Sequence, residues 1–180
     1  MIAYESSNSK FFIENKTFCE LIQSQLKYLN IECFGYCNSY GYEFKARFNR
    51  NNFEIILVCS KKQYTQNGVV IPKDANEYLL TEITLNGLQS NTSFILGKSS
   101  IKRLFTSKEF KEIFPSPFYI KTDVSADNII VKEISQLIEI LNFSKLIISD
   151  GKFVCKINSE IPNLLEFVAN LEILIIKYNL

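Results

Sequence analysis

The sequence predicts an α+β fold, an antiparallel sheet of about five to seven strands with helices mainly on one face, and three stretches carry that prediction. Residues 40–48 alternate aromatic or small apolar side chains with Gly41, Glu43, Lys45 and Arg47, the period of a strand with one buried face. Asp150-Gly151 joins two short apolar runs, the strongest hairpin signal in the chain, because this dipeptide tolerates the positive φ angles of a type I′ turn. Residues 129–141 place Ile129, Ile130, Ile134, Leu137, Ile138 and Leu141 on one wide stripe at helical spacing.

Taken in order, Thr17-x-x-Glu20 reads as a capping box that opens an amphipathic helix to Leu29, with Phe18, Leu21, Ile22 and Leu26 on its apolar face. Residues 31–36 read as a strand turning at Cys37-Asn-Ser. After the alternating strand, the run Asn49-Arg-Asn-Asn52 supplies a turn, and residues 53–59 form a strand apolar enough to be covered on both faces or nearly so. Residues 61–76 are polar, contain Asn67-Gly68 and Pro72, and read as a long loop. Residues 78–85 and 93–96 read as an antiparallel pair across Asn86-Gly87. Thr106-Ser-Lys-Glu109 is a second capping box, for a short helix that must stop by Pro115. Ser125 or Asp127 caps the next helix, and Pro162 suits the first turn of the last one.

Residues 19–49 and 133–158 share the order helix, Leu-Asn, strand, turn, strand, which suggests a pseudo-repeat of a helix–hairpin unit. The alternative is a chance likeness in a composition rich in Asn, Ile, Lys and Phe. A chain of 180 residues is expected to form one domain, with 1–122 and 123–180 as candidate sub-units.

Composition narrows the function more by exclusion than by assignment. With 47% apolar and 22% charged residues the chain should fold as a soluble globular protein. Its net charge of +1 offers no global field for nucleic acid or an anionic membrane, so any charged partner must meet a local patch. The N-terminus lacks the basic and apolar regions of a signal peptide, and the apolar runs are too short to span a membrane. Cys19, Cys33, Cys37, Cys59 and Cys155 are an odd number without framework spacing, which points to reduced thiols and a cytoplasmic protein.

There is no histidine, which removes the commonest general base at neutral pH and any Ser-His or Cys-His pair. Cys37, beside Asn38 and Ser39, is the one candidate nucleophile, against the plainer reading of a small core side chain. Cys33-x-x-x-Cys37 has no second ligand pair, so no metal and no cofactor are expected. Gly97-Lys98-Ser99-Ser100 resembles the end of a phosphate-binding loop, but Thr92 stands where the pattern needs a glycine. What survives is an anion site built from Lys98, Ser99, Ser100, Lys102 and Arg103.

The last helix is apolar around most of its circumference, so Phe167, Ile173, Leu174 and Ile176 are candidates for an interface with a protein partner or a second copy. The competing arrangement buries both flanks between the sheet and the 129–141 helix. The function these features favour is a non-catalytic interaction or binding protein. A small-ligand or anion module using residues 97–103 and an enzyme of unrecognised type are the alternatives. Neither nucleic acid nor membrane is expected as a partner.

Overall fold

The structure, a computed structural model, describes residues 1–5, 8–63, 65–66, 69–70, 77–88, 92–140 and 143–177. In chain order they form β1 (Ile2–Tyr4), α1 (Lys10–Tyr28), β2 (Cys33–Asn38), β3 (Gly41–Arg50), β4 (Phe53–Gln63), β5 (Thr65–Gln66), β6 (Val69–Val70), β7 (Glu77–Asn86) and β8 (Phe94–Lys98). The chain continues with α2 (Ser100–Arg103), α3 (Lys108–Ile113), β9 (Phe118–Thr122), α4 (Ile129–Ile140), β10 (Phe143–Ser149), β11 (Lys152–Ile157) and α5 (Leu164–Lys177). The predicted turn at Asn67-Gly68, the break at Pro72 and the stripe residue Leu141 lie outside the described residues.

The fold is α+β, and its sheet is larger than expected and mixed. Nine strands run in the order β1-β2-β3-β4-β7-β11-β10-β8-β9, and β5 pairs with β6 in a separate ribbon. The single parallel pair of the large sheet is β1 with β2. They are joined by the 19-residue α1, the helical crossover that parallel neighbours require. The strands of the large sheet missing from the sequence reading are β1 and β9, three and five residues long and too short to show a period, and the two-residue strands β5 and β6 fall where a loop was expected.

Residues 78–85 and 93–96 do form strands, but they do not pair. The β10–β11 hairpin lies between them, β11 against β7 and β10 against β8. One sheet therefore spans 1–122 and 123–180. Its hairpin turn is as expected, with φ of 50° at Asp150 and 71° at Gly151. The Gly151 carbonyl also accepts the amides of Gly87 and Leu88, both at 3.0 Å, which pins the exit of β7 to this turn. Gly151→Val should lower stability by about 1–2 kcal/mol, since a β-branched residue resists that φ and its Cβ would stand 3.2 Å from the Leu88 carbonyl oxygen. Urea titration checks this, and an unmoved midpoint would rule the strain out.

Register puts one face of the sheet in the core. Phe44, Leu57, Ile83, Cys155, Leu146 and Leu96 are buried on successive strands, and the inner residues of α1, α4 and α5 join them in one cluster. Most of the opposite residues are half-buried or exposed, Ser60 and the glycines Gly41 and Gly97 being buried. Ile56 and Val58 are half-buried, so the second face of β4 is covered only in part. The polar residues Lys61 and Gln63 are not loop either. They extend β4 opposite Tyr42 and Glu77, with both side chains buried.

Helix ends are set differently from the sequence reading, and each shift has a local cause. Ser9 caps α1 by accepting the Phe12 amide at 3.1 Å, while Thr17 sits mid-helix and donates to the Ile13 carbonyl at 2.8 Å. At the other end Asn30 has φ 56°, and Ile31 and Asn30 donate to Leu26 and Lys27. This is a Schellman stop, and it takes Ile31 out of the following strand. Thr106 does not cap α3, which follows Ser107; its buried hydroxyl accepts the Ile120 amide instead. α4 begins at Ile129, after both proposed caps, and buries Val131, Ile134 and Ile138 while Ile129 is exposed. Pro162 lies just ahead of α5. There Gln25 of α1 donates to the Pro162 carbonyl at 2.6 Å and accepts the Leu164 amide at 3.1 Å, so one side chain closes the entry to the last helix.

The two segments with the shared order both fold as a helix followed by an antiparallel hairpin, α1–β2–β3 and α4–β10–β11. Their places in the sheet differ: β2 neighbours the edge strand β1, whereas β10 lies between β11 and β8.

Candidate functional site

The cysteines belong to the core. All five are free thiols and buried. Burial pushes the Cys37 thiol up, which removes the lowered pKa a nucleophile needs; Cys59 is pushed up to about 12, also mainly by burial. Among the described residues no group of three metal-ligating side chains comes together.

A polar cluster at the core margin has a structural task. Tyr42 donates to Glu160 Oε1 at 2.8 Å, and the buried Lys61 ammonium stands 3.9 Å from the same oxygen. Thr81 donates to the Ser159 carbonyl at 2.9 Å. Together they fasten the segment before α5 to β3, β4 and β7. Burial and the Glu160 carboxylate push the Tyr42 hydroxyl far up, so it holds its proton as a donor. On α5 itself the buried Glu172 pairs with Arg50 Nε at 3.0 Å. Burial raises its pKa, opposed by Arg50 and by Asn51.

The proposed anion residues occupy the connection from β8 to β9, where they divide into two roles. Arg103 turns inward. Its Nη1 donates to the carbonyls of Phe114 at 2.9 Å, Pro115 at 3.3 Å and Phe118 at 2.6 Å, and Nη2 donates to Lys111 at 3.1 Å. Phe118 and Ile120 lie on the edge strand β9, and their amides are met by the Pro115 carbonyl and by Thr106. Arg103 and its loop thus cover the sheet edge, which an open row of donors and acceptors would leave prone to pairing with another chain.

Lys98 and Lys102 face outward. Their ammonium groups lie 5.3 Å from the Phe118 ring centroid and 5.1 Å from that of Tyr119. Ser99 accepts the Lys102 amide, and Ser100 is the exposed first residue of α2. Gly97 allows the Tyr119 ring to lie against its backbone, since a Cβ there would stand 2.9 Å from that ring. The ring, with Ile95, Lys102, Phe105 and Lys121, lines an open cleft of about 440 Å³.

The feature the sequence reading missed is apolar. Ile101, Leu104 and Phe105, between Lys98 and Lys108 in the chain, are 74%, 73% and 88% exposed. The signal was present in the run Ile101-Lys-Arg-Leu-Phe105, whose apolar members have no helical stripe to join because α2 has only four residues.

On α5 the residues Leu164, Val168, Leu171 and Ile175 face the core, and Phe167 packs partly against it. Ile173 and Ile176 are 62% and 57% exposed, so the sheet and α4 do not enclose both flanks. The Leu174 side chain lies outside the described residues. In comparisons with protein-family models, curated proteins and solved structures, the chain matches none. Among the described residues no helix is long and apolar enough to cross a membrane.

Proposed function

We propose that this protein is a non-catalytic interaction module that meets a protein partner, or a second copy of itself, through the outer flank of α5. The observation that carries the reading is the exposure of Ile173 and Ile176 on a helix whose other face is already seated on the core. Five free thiols suit a reducing compartment such as the cytoplasm. The anion-module reading draws support from the outward Lys98 and Lys102, but Arg103 directs its donors to backbone carbonyls.

Because both isoleucines are exposed, Ile173→Lys with Ile176→Lys should fold with a melting midpoint close to that of the parent. Light scattering after size exclusion should show the parent associating as concentration rises and the variant remaining monomeric. A parent that stays monomeric, and that forms no crosslink from position 173 in host extract, overturns the reading.

A further inference from the structure

We propose that the connection between β8 and β9 docks peripherally on an anionic lipid bilayer, with Ile101, Leu104 and Phe105 entering the boundary between headgroups and acyl chains. This surface is separate from the α5 flank. Three large apolar side chains within five residues are each more than 70% exposed, so they stand out from the surface, Phe105 at the margin of the cleft. A protruding apolar tip suits a soft surface that closes around it.

Charge selects the kind of surface. Residues 98–112 carry Lys98, Lys102, Arg103, Lys108 and Lys111 against Glu109 and Glu112, a local net charge of +3 in a chain whose total is +1. Lys121 lines the same cleft as Phe105. In this segment Glu109 is exposed, and Glu112 is 3.9 Å from Lys108. Outward-facing lysines around an apolar tip fit lipid headgroups, which attract long flexible cations. Protein interfaces are depleted in lysine and enriched in arginine, and here the arginine is turned inward.

The tip is held in place before any surface arrives. Arg103 lies between its apolar neighbours and ties them to four carbonyls, and Lys111 Nζ donates to the Leu104 carbonyl at 3.2 Å. Little ordering is therefore left for docking to supply.

The test is cosedimentation of the full chain with vesicles of phosphatidylcholine alone and of an equimolar mixture with phosphatidylserine. Binding is expected to the mixed vesicles in about 0.1 M salt, and to weaken strongly in about 1 M salt. Leu104→Ser with Phe105→Ser, both exposed and so compatible with folding, should weaken binding at least about tenfold. The Tyr28→Ser variant, at an 86% exposed position at the end of α1, should bind as the parent does. No sedimentation with the mixed vesicles, equal binding to both vesicle types, or undiminished binding by the Leu104 and Phe105 variant would each overturn the proposal. Capture of an acidic amphipathic peptide by the tip, with no vesicle binding, would replace it with a protein-docking role.

Discussion

Gly41→Ala should cost more than about 3 kcal/mol, the sum of a forbidden backbone conformation and a collision with the neighbouring strand. Gly41 has φ 146°, and a Cβ on it would lie 1.9 Å from the carbonyl oxygen of Lys61. That carbonyl belongs to β4, which is held in register at this level by Gly41 opposite Lys62 and by the Gln63 amide donating to Tyr40 at 2.8 Å. A side chain at Gly41 can be accepted only if β4 moves away, which would also disturb the buried Tyr42 beside it. Urea denaturation should show a lower midpoint with an unchanged slope. A loss below about 1 kcal/mol would mean that the two strands do not approach this closely.

Gly41 also marks how far the sequence could be read. Alternation placed Tyr42, Phe44 and Ala46 inside, because period two is a property of the strand alone, but it put Gly41 on the wet face, where Gly41 is in fact buried. The need for glycine comes from β4, twenty residues on, and periodicity carries no information about that approach. Strand order fails for the same reason. The hairpin at Asp150-Gly151 was legible from two residues, whereas its insertion between β7 and β8 depends on which apolar faces complete each other across the chain.

At the candidate sites the legible part was the residue type. Three cations at 98, 102 and 103 look equivalent in sequence. The structure separates them because the carbonyls that claim Arg103 come from the end of α3, the turn around Pro115 and the first residue of β9, a join with a proline on each side of Ser116 and no period to read. On α5 the helical wheel correctly marked a surplus of apolar residues. It could not tell which of them the core would use, since that is fixed by how the helix is rolled on the sheet.

The division of roles among those cations leads to the second large effect, at Arg103. Replacing it with Met keeps much of the stem and removes a guanidinium that serves four carbonyls, so a loss of about 2–4 kcal/mol is expected. Arg103→Lys should recover little of it, because one ammonium cannot reach from the Lys111 carbonyl to that of Phe118 as a planar fork does. The damage should also be local in character. Phe118 loses a partner on the outer side of β9, so amide exchange should quicken in β9 and residues 104–117 before it does in β4 or β7, whose neighbours lie on both sides. With the edge loosened, the variant should self-associate more readily than the parent, by strand pairing at β9. Hydrogen exchange and light scattering read these two consequences separately from the loss of stability. If Lys proved equivalent to Arg, and exchange in β9 stayed as slow as in the parent, Arg103 would be acting as a surface charge and not as the fastening of the sheet edge.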